Sequence, residues 1–161
     1  MHFGLVASLN RPGGNVTGAT FYAALIASRQ LELLHQLLPK AVTIGVFMNP
    51  NAPAAGTEPQ IRDLQIAANA LGLRLRVLKV GSEGDADAAF ATLVGERADA
   101  LFVTSDGLFS LQLRDPIIAL AARHRLPTMY TNRQSVPSGG LISYTSSDLD
   151  AARGMPQILL K

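Results

Sequence analysis

At 161 residues, 48% hydrophobic and 16% charged, the chain has the size and composition of one globular domain and should bury roughly 70% of its unfolded surface. Its net charge of +2 comes from scattered Lys and Arg, with no basic run interleaved with aromatics, which argues against a nucleic-acid partner. The lack of Cys excludes disulfides and thiolate chemistry, and no stretch approaches the ~20 apolar residues of a membrane-inserted helix.

The N-terminus, Met1-His2-Phe3-Gly4-Leu5, lacks the charged and long apolar regions of a secretory signal. Residues 1–14 are a short apolar piece (Leu5, Val6, Leu9) closed by a turn at Arg11-Pro12-Gly13-Gly14. Residues 15–21 read as a short strand, and 24–38 as a helix with Leu31, Leu34 and Leu38 on one stripe, ended by Pro39. Thr43–Met48 is β-branched, aromatic and apolar, the pattern of a strand buried on both faces. Asn49-Pro50-Asn51-Ala52-Pro53 stops it, because proline has no ladder donor and Asn favours turns. Thr57, with Gln60 three residues on, predicts a capping box. The helix behind it carries Ile61, Leu64, Ala67 and Leu71 on one face and Gly72 as its C-terminal cap.

Residues 74–80 alternate charged and apolar side chains, as a half-exposed strand does. Asp85 is expected to cap a helix reaching about Arg97, with Phe90 and Leu93 inward. Residues 100–104 are a buried strand ending at Ser105-Asp106-Gly107. The next helix reaches Arg125 and starts either at Ser110, with a kink at Pro116, or at Asp115-Pro116, where proline suits the first turn. Residues 128–131 form a strand ending at Asn132, and 141–145 another after the Pro137-Ser138-Gly139-Gly140 turn. Residues 148–160 begin as a helix disturbed by Gly154 and Pro156. Strands and helices alternating over short links predict an α/β fold, a doubly wound, mostly parallel sheet with helices on both faces.

Nucleotide fingerprints are missing: no Gly-x-Gly-x-x-Gly follows a strand, and no Gly-Lys-Ser/Thr loop exists. The histidines are His2, His35 and His124, the last two inside expected helices, and there is no nucleophile elbow. His124 reads as a partly exposed residue at a helix end. No metal-ligand spacing and no cofactor motif are present. Asp106 is the acid that stands out, since a carboxylate at the end of a buried strand needs a partner or water. A phospho-accepting receiver would place its aspartate there. It would also need an acidic pair where Asn49 and Asn51 stand and a lysine where Ser146 and Ser147 stand. The remaining strand-end groups, Asn49, Asn51, Ser105, Asp106, Thr131 and Asn132, suit a small zwitterion or polar acid. Asp106 would face an ammonium, and amides or a helix N-terminus a carboxylate. For Asn49 and Asn132, plain turn formation has an equal claim.

Several stretches carry a family resemblance. Arg11-Pro12-Gly13-Gly14-Asn15-Val16-Thr17-Gly18, Arg29-Gln30-Leu31-Glu32-Leu33-Leu34 and Asn49-Pro50-Asn51-Ala52-Pro53 are similar to the substrate-binding proteins of bacterial ABC transporters. So are Ala98-Asp99-Ala100-Leu101, Ala121-Ala122-Arg123-His124-Arg125-Leu126-Pro127 and Gly139-Gly140-Leu141-Ile142-Ser143-Tyr144. The chain resembles the branch with the type I periplasmic-binding fold that includes tryptophan and aromatic-amino-acid binders. That resemblance implies one lobe of a two-lobed protein, with a sheet of about five strands. Residues 1–40 would be the end of the first lobe, a hinge segment and a connecting helix. Residues 41–135 would be the second ligand-binding lobe, and 136–161 a crossover strand and truncated terminal helix. On this reading the chain is a fragment that lacks the signal peptide of a periplasmic protein. It is not an enzyme and takes no cofactor. Its partners are a small-molecule ligand, an amino acid or aromatic acid, and an ABC permease. Asn49, Asn51, Ser105, Asp106 and Asn132 would form this lobe's half of the site, with Thr17 a candidate at the hinge. Phe47, Phe109, Tyr130 and Tyr144 allow an aromatic ligand. Unpaired edges at residues 15–20 and after Leu141 give a reason to expect self-association or fraying. The alternatives from other classes are an α/β enzyme using Asp106 and the effector-sensing domain of a transcription regulator.

Overall fold

Apolar runs too short for helices become the middle of one parallel sheet in the computed structural model, which describes residues 23–145. The strands are β1 (Thr43–Met48), β2 (Arg74–Lys79), β3 (Ala100–Val103), β4 (Thr128–Tyr130) and β5 (Ile142–Ser143), in the order β2-β1-β3-β4-β5. α1 (Ala23–Leu37) leads into β1, and three helices connect the first four strands: α2 (Ala54–Leu71), α3 (Glu83–Gly95) and α4 (Arg114–His124). β1 and β3 are buried on both faces because helices cover both. Ile44, Val46, Phe102 and Met129 pack with Leu31 and Leu34 of α1 and Leu64 of α2. Phe47, Leu101, Val103 and Tyr130 pack with Phe90 and Leu93 of α3 and Ile117 of α4. The expected doubly wound α/β sheet is present, and its strands are all parallel.

Close packing accounts for two glycines. A Cβ on Gly45, in the middle of β1, would stand 2.6 Å from Leu93 Cδ2, and Leu93 is fully buried. A Cβ on Gly140 would stand 2.7 Å from the Ser135 carbonyl and 2.9 Å from the Tyr130 ring. Burial pushes the Tyr130 hydroxyl up to about 12. At the edge strand β2, Arg74, Arg76 and Lys79 are exposed, which discourages pairing with another chain. Arg76 Nε donates to both oxygens of Glu96 at 3.1 and 2.9 Å.

Several boundaries differ from expectation. α2 starts at Ala54 with Pro53 as its N-cap, so Thr57 lies inside the helix, its Oγ1 donating to Pro53 O at 3.4 Å. No capping box forms there, since Pro53 holds the entry backbone at φ −55° and Ala54 favours the helix. Gly72 does close α2, at φ 71°, with Leu73 N–H donating to Ala68 O at 2.8 Å. For α3 the cap is Ser82, not Asp85. Ser82 Oγ accepts from Asp85 N at 3.2 Å, and Asp85 reaches back to Gly81 N at 3.0 Å. α3 ends at Gly95, two residues before the expected Arg97. Ahead of α4, a π-helical turn at Leu108–Gln112 precedes a helix that starts at Arg114. Pro116 is then its third residue, where no intrahelical N–H is required. β5 has two residues, because only Ile142 and Ser143 find partners, at Met129 and Tyr130. The strand expected at 15–21 and the helix expected at 148–160 lie outside the described residues.

Candidate functional site

In this strand order the chain leaves β1 toward β2 on one side and returns to β3 on the other. The carboxyl ends of β1 and β3 therefore flank the crevice where open α/β sheets bind ligands. Asn49 leaves β1 and Asp106 follows β3, and the fold brings them together. Asn49 Nδ2 donates to Asp106 Oδ1 at 2.9 Å in a partly buried setting, and Leu108 N–H donates to the same oxygen at 2.8 Å. Asn49 Oδ1 accepts from Asn51 N at 2.9 Å, a turn that also fixes which end of the amide faces Asp106. Among the described residues, nothing donates to the second carboxylate oxygen, Asp106 Oδ2. One layer deeper, buried Thr104 donates its hydroxyl to Phe47 O at 2.7 Å.

The other expected site residues are dispersed along the same edge. Asn51 is exposed, and its amide lies against Gly81, where a Cβ would stand 3.3 Å from Asn51 Nδ2. Ser105 is exposed beside Asp106. Asn132 Oδ1 accepts from Gln134 N at 2.8 Å, capping the 3-10 turn Arg133–Ser135 after β4. Among the described residues no hydrogen bond joins Ser105 or Asn132 to the Asn49–Asp106 pair, and Asn51 reaches it through its backbone amide, not its side chain. Thr17 lies outside the described residues. Of the aromatic residues considered, Phe47, Phe109 and Tyr130 belong to the core, whereas Tyr144 is 44% exposed.

Two features were not anticipated. α2 opens over this edge behind Pro53, an N-cap that offers no side-chain hydrogen bond; the signal was Pro53 followed by small residues, with no Ser, Thr, Asn or Asp immediately before the helix. The second is the Thr104 hydroxyl, whose only sign was a polar atom closing an apolar run. α3, which begins at the same edge on the opposite face of the sheet, is capped by Ser82. The Gly81 amide, then the Ser82 side chain, hold the Asp85 carboxyl below its ordinary range. Its N-terminus is thus satisfied from within.

Neither described histidine is at this edge. His35 lies in the last turn of α1 and His124 in the last turn of α4, and both helices run down to the amino edge of the strand that follows. His124 stacks on Phe90, with centroids 5.8 Å apart and planes at 17°. Among the described residues no group of three side chains could hold a metal ion, and no helix is long and apolar enough to cross a membrane. A cavity of about 430 Å³ adjoins the carboxyl edge, lined by Met48 and by Glu58, Ile61, Arg62 and Ile66 of α2. A second, of about 280 Å³, lies beside the latter half of α4 against Tyr130 and Leu141, and offers one charged group, Arg125. The polar machinery is at the switch point, so we place the candidate site there.

Residues 1–155 match the family described as ABC transporter substrate binding protein. The chain is 32% identical over 139 residues to a tyrosine-binding protein of Clostridioides difficile (strain R20291), an alignment covering 86% of this chain and 38% of that one. It resembles the crystal structure of an ABC domain in complex with L-Trp from Streptococcus pneumonia (TM-score 0.77, 24% identity), over 98% of this chain and 52% of that one. It also resembles the ligand-free, open structure of a substrate-binding protein with adhesive properties from Clostridium difficile. There the TM-score is 0.71 at 24% identity, over 98% of this chain and 52% of that one. The chain thus spans about half the length of these solved relatives and less of the tyrosine-binding protein.

Proposed function

The chain belongs to the ABC transporter substrate-binding protein family, and from that premise we propose that the complete protein captures an amino acid or small aromatic acid between two lobes and delivers it to an ABC permease. This chain supplies the second lobe, residues 41–135, flanked by the segments 1–40 and 136–161 that lead toward the other. The observation that carries the reading is the Asn49–Asp106 pair across the β1–β3 switch point, 2.9 Å apart, at the edge where α2 begins behind Pro53, an N-cap without a side-chain hydrogen bond. Asp106 Oδ2 meets the ligand ammonium, and the start of α2 meets the carboxylate. Asn51, Ser105 and Asn132 line the same edge as further polar contacts, with Thr17 at the hinge. On this reading the protein acts by binding: a carboxylate held by an amide, with no histidine or metal-binding group beside it among the described residues, is suited to recognition. The tyrosine-binding relative supports an amino-acid ligand for this protein too. The same family membership supports periplasmic or surface placement and a permease partner that reads lobe closure.

A thermal-shift screen with amino acids and small aromatic acids tests the proposal on this chain and on a two-lobed version completed to the length of its relatives. A ligand at a hundred times its dissociation constant stabilises by about 2.7 kcal/mol. The two-lobed protein is expected to respond and this chain alone to respond weakly, because half a cleft leaves the ligand wet. No response from the two-lobed protein to any acid in the panel would overturn the reading.

A further inference from the structure

β1 and β3 stay in register from Ile44 opposite Ala100 to Phe47 opposite Val103, and there the ladder ends. The next backbone bond, from Thr104 N to Phe47 O, is long at 3.3 Å. The Thr104 hydroxyl reaches the same carbonyl at 2.7 Å, and Thr104 is only 2% exposed. Two residues further along each strand, Asn49 meets Asp106 at 2.9 Å. The clamp and the site are therefore separated by equal steps on both chains. Packing does not explain the hydroxyl, since valine has the same shape and the preceding residues, Ala-Leu-Phe-Val, are all apolar. A buried hydroxyl needs a partner, but that requirement could be met without bridging two strands.

We propose that Thr104 is the positioning residue of the switch-point pair: its hydroxyl holds the diverging ends of β1 and β3 together so that Asn49 and Asp106 meet. Its consequence for ligand affinity rests on the binding reading above; its effect on the pair does not. Thr104→Ser and Thr104→Ala differ from each other only by the hydroxyl oxygen, and both lack the methyl group. The direct readout is the Asn49 side-chain amide in nitrogen-15 NMR of this chain without ligand. In the native chain and in Thr104→Ser the amide protons exchange slowly. In Thr104→Ala they exchange at least about tenfold faster, and the signal moves toward its position in Asp106→Ala. If Thr104→Ala does not fold, Thr104→Val gives the same comparison with the methyl group restored. An Asn49 amide that stays protected without the hydroxyl overturns the proposal.

The second readout is ligand affinity in the two-lobed protein. Thr104→Ala is expected to weaken binding about tenfold, with Thr104→Ser close to native, and to add nothing once Asp106→Ala is present. Fully additive losses would mean that Thr104 acts elsewhere, and would overturn it. If the native two-lobed protein binds no acid, the solute-binding reading fails while the amide result still decides the role of Thr104.

Discussion

Strand β3 has an aspartate near each end, and the two carboxylates are held by different kinds of donor. At the amino edge Asp99 Oδ2 accepts from the backbone amides of Val42 and Thr43 at 2.8 and 2.9 Å. Asp99 N–H in turn donates to Thr43 O at 2.8 Å. Those donors belong to the backbone entering β1 and cannot turn away unless the strand moves. At the carboxyl edge, Asp106 Oδ1 takes one bond from within its own loop and one from the Asn49 side chain, which can rotate about its own torsions. On the proposed function, one end of the β1–β3 pair persists and the other exchanges a partner. A carboxylate near a strand end is thus not by itself a site; whether its donors are backbone or side-chain groups distinguishes the two cases.

Alkali probes neither aspartate and gives the largest expected effect. Below pH 10 Tyr130 is protonated in both states. From 10.0, where an ordinary tyrosine ionises, to about 12, the unfolded chain loses this proton while the folded chain keeps it. The unfolded state then binds fewer protons, so stability falls as pH rises, by about 2 kcal/mol across that window. Urea unfolding at pH 9 and pH 12, with tyrosinate absorbance, measures it and bounds the range in which the two ends can be compared. Asp99→Ala comes next. Removing the acceptor from two backbone amides at an exposed edge costs about 1 to 2 kcal/mol of unfolding free energy, read by urea titration at neutral pH. Ser82→Ala is the smallest, about 1 kcal/mol, because it removes the side-chain cap of α3. Ligand affinity should not change with it, as Ser82 and Asp85 serve the N-terminus of α3 itself and stand outside the proposed site.

Much of the fold was legible because its signals are local. Thr43–Met48 and 100–104 read as buried strands, the second ending one residue earlier at Val103, and Gly72 marked the end of α2 through a conformation that favours glycine. Caps were harder, since Ser82 and Asp85 are both good N-cap residues and backbone entry decided between them. Thr57 and Gln60 imitated a capping box that Pro53 and Ala54 had already made unnecessary. β5 was read three residues too long because its length depends on how far β4 offers partners. At the site, the polar strand ends were visible one by one. The Asn49–Asp106 bond was not, since it spans 57 positions and exists only when β1 lies next to β3. The separation of Asn132 from the pair has the same origin: it belongs to the loop after β4 and caps the turn there. Phe109 shows the limit of reading aromatics from position, since the π-helical turn carries it into the α3–α4 core.

The central claim is that Asp106 is held for a ligand and Asp99 for the fold. The most direct test crosses the two in the two-lobed protein. Affinity for the amino acid found by the thermal screen is measured by calorimetry, and stability by urea, for Asp106→Asn and Asp99→Ala. An asparagine at 106 keeps an oxygen for Asn49 and Leu108 but removes the charge. The account therefore predicts an affinity loss of at least about tenfold with stability within about 0.5 kcal/mol of native. It predicts the reverse for Asp99→Ala, lower stability with affinity kept. Native affinity in Asp106→Asn would contradict the account and leave Asp106 a structural aspartate like its counterpart.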